Sequence, residues 1–152
     1  MEENREAGVW QRVMGQGKQA PLRDLEEMLR EAAALASVYR WAAGKLTGRG
    51  KALAQKLLEG EQANAACLRG IGQLCGRVQE TVTVWEPGGK GARGLLQNCY
   101  HRTRRCQAEY TARSLEPEFG EVYRRMAERA GEHCALLAEL LGRMKQELPE
   151  RY

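Results

Sequence analysis

The chain has 152 residues, enough for one domain with a substantial core. Its formal net charge of +4, from 24 Lys+Arg against 20 Asp+Glu, is too mild to suggest a nucleic-acid binder. No run approaches the roughly twenty apolar residues that span a bilayer, and the opening Met1-Glu2-Glu3-Asn4-Arg5 lacks the apolar stretch of a signal peptide, so a cytoplasmic protein without a membrane anchor is expected.

Aromatic residues make up 6% of the chain, and Ala, Leu, Glu and Arg dominate it, which favours helices over strands. The five cysteines show no C-x-x-C spacing, so neither a disulfide framework nor a zinc ribbon is indicated. Residues 1–20 hold scattered Gly and Gln with one apolar cluster, Val9, Trp10, Val13 and Met14. They read as an irregular arm whose Trp10 docks on the body.

The first predicted helix starts at Pro21, a favourable first-turn residue. Its apolar stripe is Leu22, Leu25, Met28, Leu29, Ala32, Leu35, Tyr39, Ala42 and Leu46. Gly48 and Gly50 form a short link. The second helix runs from about Lys51 to Gly76, with Leu53, Leu57, Leu58, Leu68, Ile71 and Cys75 inward. Residues 77–91 change character: Thr81, Val82, Thr83, Val84 and Trp85 prefer extended backbone, while Pro87, Gly88, Gly89 and Gly91 break helices. This is the long connection. The third helix covers about Ala92 to Leu115, with Leu95, Leu96, Cys99, Cys106 and Tyr110 inward. After a short turn at Glu116–Glu118, the fourth runs from about Pro117 to Leu148 along Phe119, Val122, Met126, His133, Leu137, Leu140 and Met144.

The two halves align with each other. Leu57, Leu58, Glu61, Asn64, Leu68 and Ile71 match Met126, Ala127, Ala130, His133, Leu137 and Leu140 at one constant offset. Leu25, Met28, Glu31, Ala32, Leu35 and Tyr39 match Leu96, Cys99, Arg102, Thr103, Cys106 and Tyr110 at another. Superimposing Glu61/Asn64 on Ala130/His133 gives Glu-x-x-His, the inward-facing pair that carboxylate metal sites in helix bundles use twice. Each half retains one member of it.

On these residues the chain resembles the ferritin-like superfamily, in its rubrerythrin-like branch, over residues 21–148. The resemblance implies an all-α, ferritin-like four-helix bundle: two antiparallel helical hairpins joined by a long crossover at residues 77–91. It also implies six metal-ligand positions. Glu31, Glu61 and His133 keep a ligand type and are the candidate metal residues. Arg102, Asn64 and Ala130 fill the other three. Asn64 is a neutral oxygen donor, Ala130 donates nothing, and Arg102 is a permanent cation. The paired C-x-x-C motifs of a rubredoxin-like iron module are absent.

Two readings of that layer compete. Glu31, Glu61 and His133 can form a facial triad for a single iron or manganese. Alternatively, they form a polar core layer closed by Arg102, which is then expected to contact Glu31, Glu61 or both by bidentate hydrogen bonds. The second reading is favoured, because the guanidinium competes for the same carboxylates. Cys99, Cys106 and Cys134 read as small buried hydrophobes rather than a thiol site, and His101 as a surface histidine. Tyr39 and Tyr110 are expected in the core with their hydroxyls on the polar layer. Arg102, Arg104, Arg105 and Arg113 read as a solvated helix face. The expected function is that of a non-catalytic interaction or structural protein, working as a homodimer or with a protein partner, with no cofactor and no nucleic acid. The alternative is a metal-dependent oxidoreductase acting on peroxide or oxygen through one residual metal.

Overall fold

A computed structural model describes residues 23–76 and 91–147. They form four helices and, among the described residues, no strand: α1 Leu25–Lys45, α2 Gly48–Leu74, α3 Ala92–Arg113 and α4 Gly120–Glu147. The expected arm at residues 1–20, with Trp10, and nearly all of the crossover at residues 77–91 lie outside the described residues.

Helix boundaries follow local chemistry. The start of α1 is not near Pro21 but at Leu25, where Asp24 and Glu27 make a reciprocal capping box: Glu27 N–H donates to Asp24 Oδ1 at 2.8 Å and Asp24 N–H to Glu27 Oε1 at 3.0 Å. The link to α2 is only Leu46–Thr47, so Gly48 opens the second helix rather than closing the first. Two residues beyond α2, Gly76 adopts a left-handed φ of 74°, a conformation that glycine reaches without a Cβ clash and that commonly terminates helices. Cys75 therefore stands past the helix end and is exposed, against the expectation that it faces inward. The α3–α4 connection is longer than expected, because residues 114–119 form successive turns before α4 begins at Gly120.

α1 packs chiefly on α2, and α3 on α4; α2 also lies against α4, and α1 touches α3 more lightly. The anticipated stripes line the shared core. Leu35, Tyr39, Leu57, Leu68, Leu96, Met126, Leu137 and Leu140 are all fully buried. Each such aliphatic or aromatic side chain contributes roughly 1.5–3 kcal/mol relative to exposure. No helix among the described residues is long and apolar enough to cross a membrane.

Candidate functional site

Within this apolar core one layer is polar. Glu61 on α2 and His133 on α4 sit at stripe positions, each 2% exposed, and meet with His133 Nδ1 at 3.3 Å from Glu61 Oε2. The imidazole rests directly on Gly60: a Cβ built on that residue would lie 2.0 Å from His133 Nε2. Tyr39 from α1 meets His133 edge-on, with ring centroids 6.4 Å apart, and its hydroxyl reaches Thr103 Oγ1 of α3 at 3.4 Å. All four helices thus contribute to one layer. Asn64, one turn from Glu61, accepts a hydrogen bond from Arg129 Nη1 at 2.7 Å. Glu61 Oε1 and Asn64 Nδ2 are buried without a hydrogen-bond partner.

A second group of charges fills the lighter seam between α1 and α3. Arg102 Nε and Nη2 donate to Glu31 Oε2 and Oε1 at 2.8 and 3.1 Å, a bidentate fork on a carboxylate that is 16% exposed. Arg23, just before α1, extends the seam: its Nε donates to both Glu109 oxygens at 2.8 and 3.0 Å, and its Nη1 lies 3.7 Å from Glu31. Arg113 donates to the Arg23 carbonyl. Glu109 is 6% exposed, so this pair is largely removed from water. Along α3, Cys106 lies between the two ion pairs and Cys99 one turn before Arg102. Burial pushes both thiols up to about 12 from an ordinary 9.0. They stay protonated near neutrality and are poor nucleophiles. Burial likewise holds the Tyr39 hydroxyl well above its usual range.

The sequence-predicted residues therefore divide into two contacts. Glu61 and His133 come together; Glu31 joins Arg102. The expected Arg102–carboxylate contact forms, and it forms with Glu31. Ala130 is buried in the core. Among the described residues, no group of three or more His, Cys, Asp and Glu is placed to hold a metal ion. His101 is exposed, as expected.

Sequence reasoning did not single out Gly60, Glu109, Arg23 or Arg129. A signal existed for two of them. A glycine inside a helix costs about 1 kcal/mol relative to Ala and asks for a packing reason, which His133 supplies at Gly60. Glu109 follows Arg102 and Cys106 at seven and three residues, on the same helix face. Arg23 precedes its helix and Arg129 lies beside the α4 stripe, so neither position carries a periodic signal.

Comparison with protein-family models, curated proteins and solved structures finds no match to this chain.

Proposed function

We propose that the chain is a ferritin-like four-helix bundle whose metal-site layer has become an ion-paired polar layer, and that it serves as a non-catalytic structural or interaction protein, as a homodimer or with a protein partner. The observation that carries this reading is the Arg102–Glu31 fork. It places a permanent cation on a carboxylate that a metal centre of this kind would need.

Contacts along the seams support two antiparallel hairpins. Between α1 and α3, Arg23 pairs with Glu109 and Glu31 with Arg102, so numbers rise on one helix as they fall on the other. Between α2 and α4, Arg49, Glu61 and Asn64 meet Glu139, His133 and Arg129 in the same sense. Between α3 and α4, Tyr110 stacks on Tyr123 while Gln107 lies against Gly131. The two-residue link between α1 and α2 leaves them little choice but to fold back on each other.

The donor set does not fit a pair of irons. Two ferrous or ferric ions need bridging carboxylates to offset their charge, and Ala130 and Arg102 remove two of them. Asn64 already accepts from Arg129, and Glu31 from Arg102. Purified protein loaded anaerobically with ferrous iron should show no bridged di-iron absorption on oxidation and negligible peroxide turnover. Two tightly bound irons per chain would overturn the reading.

One observation favours the alternative, a metal-dependent oxidoreductase with a single iron or manganese. Glu61 Oε1 is buried and lacks a partner beside His133, and an unpaired buried acceptor is costly. Isothermal titration of the protein and a Glu61→Gln variant with manganous ion separates the two readings. Stoichiometric binding that depends on Glu61 would favour the alternative.

A further inference from the structure

At the end of the bundle where α1 begins and α2 stops, a groove of about 550 Å³ opens between Asp24, Leu25, Ile71, Cys75, Arg113 and the 116–123 segment. Leu25 and Phe119 are half-buried on its walls, and Tyr123 is buried beneath. Its rim carries Asp24, Glu116 and Glu118; among the described residues the cation lining it is Arg113, which is engaged by Glu116 at 3.0 Å and by the Arg23 carbonyl. The groove is thus apolar within and acidic at its edge.

The described chain enters at this groove, since Asp24 and Leu25 form part of its wall. Ahead of the described residues, which start at Arg23, lie 22 residues, whose apolar content is concentrated in Val9, Trp10, Val13 and Met14, with Arg12 in their midst. We infer that the groove is the docking site for this segment of the same chain, residues 9–14, with Trp10 as the anchor and Arg12 facing the acidic rim. Nine residues lie between Met14 and Asp24, and extended backbone covers about 3.3 Å per residue, so the segment can fold back onto the groove. A tether of that length gives an effective concentration on the order of millimolar, which favours the chain's own segment over a separate molecule. An indole offers roughly 150–250 Å² of surface to bury and a polar N–H for an acidic rim.

Cys75 provides the test, because it lines the groove and its thiol is exposed. A Val13→Cys substitution in the full chain, under mild oxidation at micromolar protein, should give an intramolecular disulfide to Cys75, mapped by peptide mass spectrometry. It should form at least about ten times faster than from a Glu3→Cys control, because docking raises the local concentration of position 13 at Cys75 and not that of position 3. Adding Trp10→Ala to Val13→Cys should reduce the rate to the control value while circular dichroism stays unchanged. Equal rates for Val13→Cys and Glu3→Cys, or no effect of Trp10→Ala, would overturn the assignment. A disulfide found only between chains would also overturn it, pointing to a second copy's segment instead.

Discussion

An alanine at Gly60 would bring a methyl carbon to 2.0 Å from His133 Nε2, far inside van der Waals contact. The imidazole is fixed from other sides by Glu61 and Tyr39, so it has little room to withdraw. Gly60→Ala should therefore lower stability by about 1–3 kcal/mol, as overpacking does, despite alanine's better helix propensity. In a double-mutant cycle by urea denaturation, His133→Ala should recover most of that loss. Simple additivity would mean that the ring does not sit on Gly60. Arg102 and Glu31 form a bidentate ion pair between α1 and α3. Both groups retain some exposure, 26% and 16%, so the full penalty of a broken buried pair does not apply. Arg102→Ala should cost about 1–3 kcal/mol, and Arg102→Lys should restore only part of it, because a point charge cannot make the bidentate contact. Arg102→Ala as stable as the parent would show that the fork contributes nothing.

At the scale of elements, α3 is the helix whose chemistry sets pH dependence. Cys99 and Cys106 are held near 12 in the folded state by burial, against an ordinary 9.0. The unfolded chain therefore releases these protons first. Between about pH 9 and pH 12 it binds fewer protons than the native state, so stability is complete below pH 9 and falls as pH rises. Urea midpoints should fall between pH 8.5 and pH 10, and a Cys99→Ala/Cys106→Ala variant, though less stable at neutrality, should show a flatter fall. A parent profile flat over that interval would refute the assigned burial. The four helices and their buried faces were readable because apolar residues recur at helical spacing; most stripe residues are buried where expected, while Leu25, Leu58, Phe119 and Val122 are only partly buried. Helix ends were less legible. The start at Leu25 was encoded in Asp24-x-x-Glu27 but masked by the attraction of Pro21, and Cys75 continued the stripe beyond the point where Gly76 ends the helix. The polar layer was half legible. Internal repetition located Glu31, Glu61, Arg102 and His133, yet periodicity cannot say which acid a long arginine will choose. Nor could it reveal Arg23–Glu109, which joins the residue ahead of one helix to the face of another.

Among the described residues, the α2–α4 contact holds Glu61–His133 in the core and Arg49–Glu139 at the surface, while the lighter α1–α3 contact is closed by Arg102–Glu31 and Arg23–Glu109. In the proposed reading, a layer that would require metal to neutralise its carboxylates is neutralised by protein cations instead. The most direct measurement is thermal unfolding of the parent and of Arg102→Glu, each with and without manganous ion. Arg102→Glu places like charges together and should unfold at lower temperature without metal. It should regain about 5 °C or more at metal concentrations far above the dissociation constant, since an ion that binds only the folded state stabilises it. The parent should shift by less than about 1 °C. A parent stabilised by manganese as strongly as the variant would contradict the account and show that the layer still holds a metal beside Arg102.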